Sequence, residues 1–344
     1  MRKLAVVLLA AGQGTRMKSK TQKILHEVGG KPMVMHIFDA AESVADVPPV
    51  LVVGKGADGV QNLIGSRAQY AIQAEQMGTG HATMMAEPLI KGLADQVIVT
   101  YGDMPLLCAD TLARLAQTQS KTNAAVVMLS VMGDLTSTFG RVVRDQHGYV
   151  AEIVEVAEAR LRPNTQELLA IPELNVGVYC FDGQWLWENI HDLPLRQARS
   201  GQEYYLTDMI ALAVKQNRLV EAIVTEDVDE SMGAGTRAEL VAVERAFRAR
   251  ANKRWLDNGV TLIEPATIFI DQEVEIGQDT IVWPNTYLQG STTIGADCVI
   301  GPNAIIRDAK VGNHCRLEQT VVENCVVVDG TIGKPFRHVV GGKE

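Results

Sequence analysis

Up to about residue 229, short unbroken apolar runs alternate with segments whose apolar positions recur at helical spacing. Leu4–Ala11, Val50–Gly54, Gln96–Tyr101 and Ala124–Val131 are rich in Val, Ile and Leu and bounded by turn residues. They read as strands buried on both faces. Met33–Val44 and Thr111–Gln119 carry the helical period between them. This rhythm predicts βαβ units, an α/β domain with a mostly parallel sheet, and helices on both faces. Ligands of such sheets bind at the carboxyl ends of the strands, and Gly12 and Asp103 both fall just beyond such ends.

The pattern changes twice further on. Thr236 to Asn258 predicts one amphipathic helix, with Leu240, Val243, Phe247 and Trp255 on one face. Its basic residues, Arg245, Arg248, Arg250, Lys253 and Arg254, read as a solvated face rather than an RNA-binding one. Asn258-Gly259 ends it with a turn signal. Beyond it, Ile276-Gly277, Ile294-Gly295, Ile300-Gly301, Val311-Gly312 and Ile332-Gly333 repeat a branched apolar residue before glycine, several at intervals of six or eighteen. That period predicts a parallel β-helix, with Cys298 and Cys315 nearly in one column of its core. The expected division is 1–235, a linker helix at 236–258, and a repeat domain at 259–344.

Composition narrows the class. The 344 residues suffice for two domains, and the apolar (47%) and charged (21%) fractions are those of a globular protein. A net charge of −9 argues against a nucleic-acid partner. The five cysteines form no Cys-x-x-Cys pair and read as reduced thiols of the cytoplasm. Arg2-Lys3 before an apolar run imitates a secretory leader, but the polar glycine turn that follows at once argues against one. No apolar run approaches the roughly 20 residues of a membrane span.

The most informative segment is Leu8-Leu9-Ala10-Ala11-Gly12-Gln13-Gly14-Thr15-Arg16-Met17, with Lys23 shortly after. A glycine turn brings backbone N–H groups close to phosphate oxygens, and two cations can neutralise charge that builds there. The Walker pattern is absent, and Met17 stands where a dinucleotide loop needs its third glycine. A nucleoside triphosphate site is the expected reading. Asp103, in Tyr101-Gly102-Asp103, is a natural Mg²⁺ ligand at a strand end. Gln73-Ala74-Glu75-Gln76-Met77-Gly78-Thr79-Gly80-His81-Ala82 offers amides and a hydroxyl that can read a pyrimidine edge.

These strings together resemble the uridylyltransferase half of the bacterial bifunctional N-acetylglucosamine-1-phosphate uridylyltransferase/glucosamine-1-phosphate acetyltransferase family, from residue 3 to about 333. Gly140-Arg141, Ile153-Val154-Glu155, Asn175-Val176-Gly177 and Glu203-Tyr204-Tyr205-Leu206-Thr207-Asp208 match its sugar-side motifs in order. The resemblance implies a Rossmann-like nucleotidyltransferase domain followed by a short left-handed parallel β-helix of hexapeptide repeats. It implies Mg²⁺-dependent transfer from UTP to N-acetylglucosamine 1-phosphate, a step of nucleotide-sugar and cell-wall precursor biosynthesis. Arg16 and Lys23 would carry catalysis and Asp103 the metal. Leu9, Ala10, Ala11, Gly12, Gly14, Gln73, Gln76, Gly78, Thr79 and Gly102 would bind nucleotide; Gly140, Glu155, Asn175, Tyr205 and Thr207 would bind the sugar. The β-helix would assemble a homotrimer.

Three positions depart from the family. Gln22 replaces a proline before the lysine, and Ala157 replaces a basic residue. Gly235 stands where an asparagine supplies a second metal ligand; Asp227, Asp229 or water are the substitutes at hand. These departures leave open another sugar 1-phosphate, dTTP in place of UTP, or a non-catalytic homologue that binds nucleotide sugar. The repeat covers about four coils, and His338 reads as a surface residue, so acetyl transfer is not expected.

Overall fold

The computed structural model describes residues 2–134, 138–198 and 201–343. The chain divides into two compact units, one of residues 1–26 and 33–237, the other of 27–32 and 238–344. The short hairpin at 27–32 therefore clusters with the C-terminal unit.

The first unit is built on a sheet whose main path comprises β1 (Leu4–Ala10), β2 (Val50–Val53), β3 (Gln69–Ile72), β4 (Gln96–Tyr101), β5 (Val126–Met132), and, after a paired excursion β6 (Arg141–Arg144) and β7 (Val150–Val154), β8 (Glu173–Asp182) and β9 (Val220–Thr225). The spatial order is β9-β5-β8-β4-β1-β2-β3. The β1, β2, β3 and β4 strands run parallel, as do β5 and β9. The β8 strand enters antiparallel between β4 and β5. The sheet is mostly parallel, as the unbroken apolar runs require when both faces are covered. Alternation along β1 sorts the core: Val6 and Leu8 pack with Phe38 and Leu115 on one face, and Ala5 and Val7 with Ile90 and Trp185 on the other.

The helices fall close to the expected positions. The first, α1, spans Met33–Val44; α2 spans Gly78–Ile90, α3 Ala109–Thr122 and α4 Asp208–Lys215. Strand bounds differ by a residue or two from the sequence reading, with β2 stopping at Val53 and β5 starting at Val126.

The second unit contains α5 (Arg237–Asp257) and stacked short parallel strands. Val243, Phe247 and Trp255 are buried, as the helical spacing requires, and Leu240 is half-buried. Two of the basic residues do more than face solvent. The Arg248 guanidinium lies 4.2 Å from the Phe269 ring centroid and that of Arg254 lies 4.6 Å from that of Trp255. The stack is a parallel β-helix: Ile268 pairs with Thr286, Ile276 with Ile294 and Ile281 with Val299, each eighteen residues on. Cys298 and Cys315 form the expected column, and Thr280 extends it. Cys298 N–H donates to Thr280 Oγ1 at 3.1 Å and Cys315 N–H to Cys298 Sγ at 3.4 Å. All five cysteines are free thiols, and His338 is exposed beside Glu323 at 2.9 Å. No helix among the described residues is long and apolar enough to cross a membrane.

Candidate active site

The glycine turn follows β1 directly. Gly14 has φ +62°, in the left-handed region that glycine enters without a steric penalty, and it caps the turn Thr15–Met17. A Cβ on Gly14 would lie 2.5 Å from Lys23 Cβ, so the bare glycine is what lets the lysine stem pass. Lys23 opens a second turn, Lys23–Leu25, and its Nζ reaches Asp103 Oδ2 at 2.5 Å. Both side chains are 18% exposed. Asp103 stands two residues beyond β4, whose Gly102 N–H donates to Leu9 O at 3.0 Å. Lys23 and Asp103 therefore meet where β1 and β4 end side by side. Arg16 is exposed on the same loop and its guanidinium pairs with no described residue. Gly12 is open, with nothing within 4 Å of a Cβ placed on it.

The amide-rich segment lies across the loop. Gln76 Nε2 donates to the Ala11 carbonyl, which joins it to the glycine turn. Gln73 is buried and its Nε2 donates to Gly78 O at 3.0 Å. Gly78 adopts φ +89°, and a Cβ there would strike Tyr204 O at 2.5 Å. Thr79 Oγ1 accepts from Leu206 N–H at 3.0 Å. These bonds tie residues 73–79 to 204–207. Gly54, after β2, was missed in the sequence: its Cβ position lies 3.1 Å from Ala11 O and 3.8 Å from Gln76 Nε2. A glycine closing an apolar strand was the signal available.

The other motifs meet one another. A Cβ on Gly140 would stand 3.3 Å from Glu155 Oε1, and Gly140 O accepts from Asn175 N–H at 2.9 Å. Burial pushes the Glu155 carboxyl above its ordinary range, with Glu158 and Asp208 adding to it. Burial raises the Tyr205 phenol, helped by Glu203 and Glu155. Thr207 stands at the start of α4, ahead of Asp208, which accepts from Arg196 at 2.6 and 2.8 Å. Tyr101 links the two halves. Burial raises its phenol first, and the Asp103 and Glu155 charges raise it further. It also fills the space of a Gly177 Cβ, at 2.7 Å. Tyr101 was part of a motif in the sequence but not named as a site residue. Tyr179, bonded to Asn175, carried no signal at all.

For a divalent cation, the candidate ligand is the Asp103 carboxylate, which Lys23 meets. Ala234 N–H donates to Asp103 O at 3.3 Å, and a Cβ on Gly233 would lie 3.7 Å from Asp103 Oδ2. The 233–235 segment thus closes on Asp103 with no side-chain donor. Asp227 caps its own turn, accepting Asp229 N–H at 3.0 Å. Among the described residues no three His, Cys, Asp or Glu side chains cluster to hold a metal. A single hard oxygen ligand fits Mg²⁺, which is bound through one or two carboxylates plus substrate phosphates.

Comparison with known proteins follows this geometry. Residues 6–173 match the MobA-like NTP transferase domain and 273–308 the bacterial transferase hexapeptide, six repeats. The bifunctional protein GlmU of Exiguobacterium sibiricum is 41% identical over 338 residues, covering 97% of this chain and 73% of that protein. That of Enterococcus faecalis is 40% identical over 333 residues, covering 97% and 71%. The chain belongs to the GlmU family. It is a nucleotidyltransferase with a hexapeptide-repeat domain. Solved structures share the fold: a UDP-glucose pyrophosphorylase complexed with UDP-glucose (TM-score 0.56, 18% identity, covering 73% of this chain and 100% of that one). A putative glucose-1-phosphate thymidylyltransferase from Bacillus anthracis has TM-score 0.55 at 20% identity, covering 70% and 94%.

Proposed function

We propose that this chain transfers the uridylyl group of UTP to N-acetylglucosamine 1-phosphate, forming UDP-N-acetylglucosamine and pyrophosphate. The observation that carries the reading is the Lys23–Asp103 contact at the ends of β1 and β4, with Gln76 bonded to the same glycine turn and Asn175 N–H donating to Gly140 O beside Glu155. A phosphate oxygen of the sugar phosphate attacks the α-phosphorus. The bond to the β-phosphate oxygen breaks, and its electron pair leaves with pyrophosphate. No side chain forms a bond to the substrate. Catalysis rests on alignment and on cations at the triphosphate. Lys23 and Arg16 supply those cations. Gln73, Gln76, Gly78 and Thr79 hold the base, with Leu9, Ala10, Ala11, Gly12, Gly14 and Gly102 as the floor. Gly140, Glu155, Asn175, Tyr205 and Thr207 hold the sugar, whose hydroxyls Glu155 can accept. Asp103 would hold Mg²⁺, which supplies positive charge at the phosphate oxygens when bound.

Residues 1–235 carry this chemistry, 236–258 connect, and 259–344 assemble the chain in the cytoplasm. The assembly reading is a homotrimer. Phe269, Tyr287, Ile305 and Val321 stand in register on one β-helix face, with the first two rings stacked 4.6 Å apart. Flat faces of stacked β-helix coils are suited to subunit contacts. Pyrophosphate release with UTP, N-acetylglucosamine 1-phosphate and Mg²⁺ tests the function. Release at least about a hundredfold faster than with other nucleotides or sugar phosphates supports it; a faster rate with another pair overturns it.

A further inference from the structure

We propose that Lys23 is a tethered stand-in for the divalent cation, so that the metal enters this site with the triphosphate and not before it. The inference rests on the reading of Asp103 as the metal ligand and concerns the state without nucleotide.

Four observations carry it. Lys23 Nζ lies 2.5 Å from Asp103 Oδ2, at hydrogen-bond contact with the carboxylate read as the metal ligand. The lysine is held there by its backbone: Gly14 in the left-handed region makes room for the stem, and the turn Lys23–Leu25 fixes its start, with His26 N–H donating to Lys23 O at 3.3 Å. Both partners are only 18% exposed, so water screens the pair weakly. Finally, the 233–235 segment closes on Asp103 and brings only a methyl group, because Gly233 and Gly235 have no side chains.

The charge balance follows. One ammonium neutralises one carboxylate, and the segment beside Asp103 adds no second side-chain ligand. A free divalent ion must displace a cation that is covalently anchored and already desolvated, and it gains one carboxylate in return. Removing the ammonium without a substitute would leave a poorly solvated carboxylate, which is costly. A nucleoside triphosphate changes the balance, because its oxygens bring about four negative charges at neutral pH and several hard ligands. The ammonium moves onto phosphate oxygens, Asp103 is released, and carboxylate and phosphates together hold the ion. Lys23 thus positions charge for the substrate and withholds Asp103 from metal until substrate is present.

The probe is Mn²⁺ alone, titrated into the full chain and followed by the electron paramagnetic resonance signal of the free ion. Without nucleotide, the wild type is expected to bind Mn²⁺ at least about tenfold more weakly than with UTP. Lys23→Met is expected to gain at least about tenfold in nucleotide-free Mn²⁺ affinity, with Lys23→Gln as the polar control, and the gain is expected to vanish when Asp103→Asn is added. Unchanged nucleotide-free affinity in both lysine variants overturns the proposal. So does a wild-type chain that binds one Mn²⁺ without nucleotide as tightly as with it, through a site lost in Asp103→Asn; that measurement needs no lysine variant to fold. The Mn²⁺ pattern in a chain that releases no pyrophosphate supports this inference while defeating the catalytic reading.

Discussion

Asn175 and Tyr179 satisfy each other's polar groups across the irregularity in β8. Asn175 Nδ2 donates to Tyr179 Oη at 2.8 Å, Tyr179 Oη donates to Asn175 Oδ1 at 3.1 Å, and Gly177 N–H reaches the same Oδ1 at 3.1 Å. The register of β8 against β5 shifts between these two residues. Positions four apart in a strand share a face, and the shift lets the shorter side chain turn onto the longer. The phenol thereby fixes which way the amide points.

Tyr179→Phe keeps the ring and removes the hydroxyl. It leaves the buried amide short of a partner, at a cost of about 1–3 kcal/mol in stability. If Asn175 reads the sugar, KM for N-acetylglucosamine 1-phosphate rises several-fold while KM for UTP stays within about twofold. Steady-state kinetics with each substrate varied in turn, beside a thermal melt, checks both parts.

Gly14→Ala places a methyl group where Lys23 Cβ stands and forces an alanine into the left-handed region. The lysine must shift, and transfer is expected to fall on the order of tenfold to a hundredfold, with UTP affinity reduced. Gly12→Ala, with open space around it, is expected to lose less. The ratio of the two rates in the pyrophosphate-release assay is the measurement.

Asp103→Asn preserves shape and removes the charge. Activity is expected to drop by at least about a hundredfold, with circular dichroism unchanged. Wild-type turnover in this variant removes Asp103 from the site.

The Glu155 carboxyl is raised by burial and by Glu158 and Asp208, so the folded state holds its proton to higher pH than the unfolded chain. In that window folding binds a proton, and stability falls as pH rises from the ordinary carboxylate range through the raised value. Glu155→Gln lacks this loss. It is expected to melt higher than wild type at about pH 8, with the advantage shrinking toward about pH 5, while its KM for the sugar phosphate rises. Melting curves across this range decide the sign.

Much of this was legible in the residues. Leu4–Ala11 and Met33–Val44 announced their elements because burial on both faces, or on one stripe, leaves a period in the sequence. Lys23 and Asp103 were marked by their chemistry beside glycine. The antiparallel entry of β8 was not legible, since an apolar run buried on both faces carries no sign of its direction. The hairpin at 27–32 was not either: Gly29 at φ +55° leaves its Cβ position to the Phe247 ring, at 2.0 Å, a fit set by a residue more than two hundred positions away. Arg248 likewise looks like a solvated cation until Phe269 is brought beneath it. Tyr179 reads as core, and only the register shift in β8 turns its hydroxyl to Asn175.

A crystal structure with UTP and Mg²⁺ bound tests the central claim most directly. The account predicts Lys23 Nζ withdrawn from Asp103 and within hydrogen-bond distance of a phosphate oxygen, Arg16 closed on the same triphosphate, and the ion between Asp103 and the phosphates. A triphosphate seated elsewhere, with the Lys23–Asp103 pair intact, would contradict it.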